Sequence, residues 1–387
     1  MKKIVCMALA ASLMSGAAFA EPVKIGFVTT LTTGAAVIGN DMKNAVDLAM
    51  EHLGGMAGDT ELEVIFGDDQ FAPEAGKQVT DKLVKQDDVD FVAGYIWSHV
   101  LLASRKSVLD ADKILISANA GPSQMAGKLC DKNFFSTSWQ NDQTPMAMGE
   151  VLNRQGVKSL YLMAPNYAAG KDMVDGMLST FEGEVVGTSM TKWPDQLDFS
   201  GELASVRAAN PEAVYVFYPP AHALQFVAQY QQAGLKDQIP LYSVYTFDAL
   251  TIPTIGANSA GALMTMFSAT DLENEANATF VEKFIEKYDR EPSNFAATAY
   301  DTVMLIDSVV TKLGGDLSDK DAVRAALKAA EFDSVRGEFR FGPNNFPIQD
   351  FYLVEVIEGE GGQMTTKIVK KVVEDSQDAY AADCSMN

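Results

Sequence analysis

Runs of four to seven mostly apolar residues alternate along this chain with longer segments whose apolar positions recur at three- and four-residue intervals. The first pattern predicts buried strands, the second amphipathic helices, and their alternation is the signature of βαβ units around a parallel sheet. Strands are predicted over residues 23–29, 62–67, 91–96, 114–118, 159–163, 213–218 and 241–244. A first helix is predicted over residues 39–53, with Met42, Val46, Leu48 and Met50 at helical spacing and a stop at Gly54-Gly55. A second starts at Pro73, a favoured first helical position, and turns Val79, Leu83 and Val84 inward. Residues 276–330 are chiefly helical in pattern, and FRFGPNNFPIQDFYLVEVIEGEGG and MTTKIVKKV after them read as strands with turns.

The segment FFSTSWQND, residues 134–142, separates one set of strand–helix units from the next and reads as a crossing between two lobes; ALMTMF, residues 262–267, reads as a crossing back. The expected division is residues 21–138 with 262–335 as an N-terminal lobe, and residues 139–261 with 336–387 as a C-terminal lobe. Residues 1–20 are read as a signal peptide: Lys2 and Lys3, an apolar stretch, then Ala18-Phe19-Ala20, with cleavage after Ala20 and export to the periplasm. No other apolar run reaches the roughly 18 residues that a membrane helix needs.

Composition narrows the function classes. The formal charge of −22 becomes −24 once the signal, with two lysines and no acidic residue, is removed, which disfavours nucleic acid as a partner. Cys130 and Cys384 are the two cysteines left after processing. In an oxidising compartment they are expected to form a disulfide, two unpaired thiols being the alternative. Gly-rich phosphate loops with Lys, paired-cysteine zinc spacing, G-x-S-x-G and H-E-x-x-H are all missing from the sequence, so neither an enzyme nor a cofactor or metal site is expected.

Four segments carry a resemblance, in this order: VKIGFVTTLTTGAAVIGNDMKNAVDLAMEHLGG, ELEVIFGDDQFAPEAGKQVTDKLV, FVAGYIWSHV and NFAATAYDTVMLI. Together they resemble the type I periplasmic binding proteins of ABC importers, in the branched-chain-amino-acid-binding family, over essentially the whole mature chain. The resemblance implies an α/β fold of two lobes, each a mostly parallel sheet flanked by helices, joined by three crossings and closing on a small ligand like a hinge. It implies a membrane permease of an ABC importer as partner, and the protein is expected to act as a monomer. GYIWSH and STSWQNDQ are more similar to the branch associated with aromatic, nitrobenzoate-like acids than to the amino-acid branch.

Ligand contacts are expected from loops after strands, which face the interlobe cleft. The candidates are Thr33, Gly34 and Ala35; Tyr95, Trp97 and Ser98; Ala118, Asn119 and Ala120; Tyr167; Tyr218; and Thr246, Phe247 and Asp248. By resemblance, Ser98 offers a hydroxyl to a ligand carboxylate, the residues around Ala118 offer backbone groups, and Tyr167 and Tyr218 face the ligand. Trp97 reads either as a wall against a ring or as a plug under its loop. The amino-acid binders place an acidic residue against the ligand ammonium, where the simplest alignment puts Thr246, with Asp248 two positions later. Without that carboxylate a buried ammonium would be unpaired at a cost of several kcal/mol, so a small organic acid lacking an amine is favoured. A benzoate-type acid is the first expectation and a branched-chain or other aliphatic amino acid the second. A ligand-binding sensor and a secreted hydrolase remain as other classes.

Overall fold

The computed structural model describes residues 21–386; the expected signal peptide lies outside the described residues. The first sheet is built from β1 (Val23–Thr29), β2 (Met56–Ala57), β3 (Thr60–Asp68), β4 (Phe91–Gly94), β5 (Ile114–Ser117) and β6 (Phe134–Ser136) in the order β2-β3-β1-β4-β5-β6. All its pairings are parallel except β2 with β3. Helices α1 (Ala36–His52), α2 (Pro73–Lys85), α3 (Ser98–Leu109) and the short α4 (Ser123–Ala126) follow successive strands.

The second lobe repeats the plan with α5 (Gln143–Gln155), β7 (Ser159–Pro165), α6 (Ala168–Thr180), β8 (Glu184–Thr191), α7 (Ser200–Ala209), β9 (Ala213–Phe217), α8 (Pro220–Gln232), β10 (Leu241–Val244), α9 (Ile252–Ile255) and β11 (Leu263–Met266). Helices α10 (Glu275–Tyr288), α11 (Asn294–Leu313) and α12 (Lys320–Ala329) return to the first lobe, where α11 packs on both α1 and α12. The chain then closes with β12 (Arg340–Phe341) and the hairpin of β13 (Pro347–Glu358) and β14 (Met364–Ser376). The second sheet runs β12-β13-β11-β10-β9-β7-β8, with β14 on the outer side of β13. One expectation shifts here. β11 pairs with β10 and β13, so the return to the first lobe comes after Met266 and not at residue 262.

Central strands β1, β4, β5 and β9 are buried along nearly their whole length, as strands covered by helices on both faces must be. Two glycines let helices start hard against their preceding strands. A Cβ on Gly39 in α1 would fall 1.7 Å from the Thr30 carbonyl oxygen, and one on Gly170 in α6 would fall 1.8 Å from that of Pro165. The equivalent helix in each lobe is therefore seated close to the strand end that faces the cleft.

One buried side chain ties the three crossings together. The Arg336 guanidinium donates to Asp301 (Nε to Oδ2, 2.9 Å), to the Ser138 carbonyl (3.0 Å), to the Thr137 carbonyl and to Gln349 (2.8 Å), and it lies 5.3 Å from the centre of the Phe267 ring. The tail adds a covalent tie, because Cys384 is joined to Cys130 of the first lobe across 254 positions of sequence. Asn344 and Asn345 reach the same lobe through the carbonyls of Ala126 and Phe134.

Candidate functional site

The carboxyl ends of both sheets face one another across a cleft, and its inner part is a pocket of about 390 Å³ counted to its mouth. The first lobe supplies Ser98, Asn119 and Ala120; the first crossing supplies Trp139 and Asn141; the second lobe supplies Tyr167, Ala169 and Phe217. Tyr245 and Phe295 complete an aromatic wall, with Trp139 stacked on Tyr245 at 4.7 Å between ring centres.

Polar groups at this cavity are uncharged and of both kinds: donors from Ser98 and Trp139, and the buried Asn119 Oδ1, an acceptor without a partner among the described residues. In α3 the amides of Val100 and Leu101 bond to the Trp97 carbonyl, which leaves those of Ser98 and His99 without an intrahelical acceptor. Helix α6 starts at the same cavity, and Ala169 in its first turn lines it. Two helix N-termini, one from each lobe, thus bring partial positive charge to a shared point. The Ser98 hydroxyl oxygen accepts from Asn141 Nδ2 at 3.2 Å, so its own proton is free to be donated into the cavity. The indole N–H of buried Trp139 has no partner among the described residues. Among those residues, no Asp, Glu, Lys or Arg lines the cavity. His99 lies beside it, and burial pushes its imidazole down to about 4, so it is uncharged at neutral pH.

The mouth is closed by aromatic rings from both lobes. Trp97 is held by a hydrogen bond from Nε1 to Thr30 Oγ1 (2.8 Å), and Thr30 in turn donates to Asp69 (2.5 Å). Phe71 packs on Trp97 with centres 4.5 Å apart, and both reach Trp193 of the second lobe, at 5.4 and 5.8 Å. Trp193 stacks on Tyr167 at 4.8 Å. A polar latch accompanies these contacts: Asp172 of α6 accepts from the Ser123 amide (3.1 Å), the Ser123 hydroxyl (2.8 Å) and Asn141 (2.9 Å). In the described conformation the two lobes are in direct contact at this mouth.

Placed on this geometry, the expected residues divide. Trp97, Ser98, Asn119, Ala120 and Tyr167 line the inner cavity, whereas Thr33, Gly34 and Ala35 line an outer pocket at its mouth. Tyr95 turns into the first lobe and meets Thr80 at 2.6 Å, and Ala118 is fully buried with its amide bonded to Gly94. Tyr218 is likewise turned inward: its hydroxyl donates to Thr191 at 3.2 Å and its ring packs on Phe199 and Phe226, so its neighbour Phe217 meets the cleft. Thr246 Oγ1 accepts the Tyr218 amide, while Phe247 and Asp248 line a separate cavity with Met264, Asn277 and Asn294. Trp139, Asn141, Phe217, Tyr245 and Phe295 were not among the expected residues. Two of them, Trp139 and Asn141, sit in the segment read as a crossing and as similar to the aromatic-acid branch, with no ligand contact assigned to it; it forms the cleft floor.

The model of the periplasmic binding protein family matches residues 22–363. The chain belongs to that family. A solute-binding protein of an ABC transporter from R. palustris, solved in complex with benzoate, is 29% identical over 94% of this chain and 100% of that one, with a TM-score of 0.88. An ABC transporter substrate-binding protein from Sphaerobacter thermophilus is 28% identical over 92% of this chain and 98% of its own, with a TM-score of 0.86. A Leu/Ile/Val-binding protein homolog from Brucella melitensis is 28% identical over 96% of this chain and 97% of its own.

Two predictions arise here. Phe217→Ala removes cavity wall and is expected to weaken ligand binding by about 1.5 kcal/mol, roughly tenfold, while Tyr218→Phe, which deletes only a hydroxyl facing Thr191, leaves affinity within about twofold; titration calorimetry on the two variants checks the contrast. The second concerns pH. Burial first, and then the nearby Asp172 carboxylate, push Asp142 up to about 7, against hydrogen bonds from Tyr380 and Gln140 that favour its ionised form. Burial likewise pushes Asp248 up to about 7. Folding therefore favours the protonated forms: this contribution is complete below the ordinary value of 3.8 and is lost as pH rises through about 7. Between pH 5 and pH 8, values bracketing about 7, the melting temperature of Asp142→Asn is expected to fall less, or rise more, than that of the wild type, the depressed His99 acting in the opposite sense in both.

Proposed function

We propose that this chain is the extracytoplasmic solute-binding component of an ABC importer and that it captures a small aromatic carboxylate in the cleft. The observation that carries this reading is the placement of charge: the cavity offers uncharged polar groups and aromatic walls, and Asp248, two positions after the residue that aligns with the acidic one of the amino-acid binders, lines another cavity. A carboxylate is satisfied by Ser98, by the exposed amides of α3 and by the two helix dipoles. An ammonium group in the same place would be buried with no counter-charge among the described residues that line the cavity. The aromatic walls suit a ring, which gains from stacked and edge-on contacts. The benzoate complex of the R. palustris relative supports the same class, as its Brucella relative's name supports the amino-acid alternative.

Capture works by population shift. A ligand bridging Ser98 on one lobe and Ala169 or Phe217 on the other binds the closed form better than the open one. The closed form is then what the permease engages; turnover has no part in it.

Matched ligands test the reading. In a thermal-shift experiment, 3-phenylpropanoate and phenylalanine differ only by the amine, as do 4-methylpentanoate and leucine. The expected outcome is stabilisation by benzoate and 3-phenylpropanoate with none from either amino acid. Stabilisation by leucine and phenylalanine alone contradicts it.

A further inference from the structure

Outside the Trp97–Trp193 contact lies a second concavity, of about 690 Å³ counted to its open mouth. It shares Ile38, Trp97 and Pro219 with the inner cavity, so one layer of side chains is their common wall. Its floor and sides come from both lobes: Val37 and Phe71 from the first, Trp193, Leu197 and Pro220 from the second. Among the described residues, no Asp, Glu, Lys or Arg lines it. His222 does, yet its Nε2 is engaged by the Pro194 carbonyl at 2.7 Å, and burial holds its imidazole below the usual histidine range. Val37 and Leu197 remain 42% and 47% exposed at its rim. In a chain of charge −22, an uncharged apolar hollow opening beside a ligand cavity stands apart from the solvated surface.

We infer that this hollow is an outer subsite for an apolar substituent on the ring of the captured acid, so that the ligands include alkyl-bearing aromatic carboxylates and not benzoate alone. The inference rests on the aromatic-acid reading of the inner cavity. The carboxylate and ring occupy the inner cavity, and the substituent reaches the hollow by displacing side chains of the Ile38–Trp97–Pro219 layer, which separates the two in the described conformation. Because the hollow is assembled from both lobes, a group filling it touches both and adds to the preference for the closed form. It carries no counter-charge, so a charged substituent there would be desolvated without a partner.

The test is a calorimetric series of benzoate with its 3- and 4-ethyl, butyl and hexyl derivatives, on the wild-type protein and on the Leu197→Ser and Val37→Ser variants. Both positions lie at the rim and outside the inner cavity. Along at least one series affinity is expected to rise by about fourfold per methylene buried. Each variant is expected to remove much of that gain while leaving benzoate itself within about twofold. Benzoate binding with no gain from any alkyl chain, or a gain that survives both variants, overturns the outer subsite alone. Failure of benzoate and of every derivative to bind overturns the aromatic-acid reading, and the subsite with it.

Discussion

Ser98→Asp is expected to weaken benzoate binding by about 100-fold or more while leaving the fold intact. The hydroxyl that donates to the ligand is lost, and a hydrogen bond to a charged group is worth about 1.5–3 kcal/mol. A carboxylate then stands where the ligand's own must sit, in a cavity whose described lining holds no cation to separate the two. The fold tolerates the change for a definite reason. An acidic side chain in the first turn of α3 interacts favourably with the helix dipole, and Asn141 Nδ2, which donates to Ser98, can donate to the introduced carboxylate in the same way. Ser98→Ala, which deletes the donor without adding charge, is expected to give the smaller loss of about 10- to 100-fold. Equal, small effects from both substitutions, with unchanged melting temperature, would place the ligand carboxylate elsewhere.

The second large effect concerns the crossings between the lobes. Arg336→Met is expected to destabilise the protein by about 3–5 kcal/mol, because it leaves the fully buried Asp301 carboxylate without its cation. The cost has a second part. Arg336 also satisfies the carbonyls of Thr137 and Ser138 in the first crossing and the Gln349 side chain at the start of β13, which a thioether cannot do. Urea unfolding measures the loss. The double variant Arg336→Met with Asp301→Leu is expected to recover part of it, since removing both charges ends the uncompensated burial. A single variant as stable as the wild type would show that the crossings are not held by this pair.

Much of the architecture was legible because strand and helix periods differ so clearly. The strand predicted over residues 23–29 coincides with β1, and Pro73 does open α2. The lobe boundary at residue 262 was less legible: LMTM is as apolar as a crossing buried between lobes and as apolar as an edge of a parallel sheet, and only its pairing with β10 and β13 distinguishes them. The lining of the candidate cavity was legible where the loop itself forms it, as at Trp97-Ser98 and Asn119-Ala120. It was not legible in YVFYPP, because every residue of β9 is buried on one side or the other and composition does not say which ring faces the cleft. Register decides that Phe217 faces out and Tyr218 faces in, and register is a tertiary property. Trp139 and Asn141 were hidden differently. Crossings are read from sequence as connectors, yet here the connector is also the floor of the cleft.

Charge placement is the central claim, and one titration addresses it. Calorimetry on the mature protein with benzoate, then with leucine, is predicted to give saturable one-to-one binding of benzoate and no measurable heat of binding from leucine. Saturable binding of leucine with none of benzoate would contradict it.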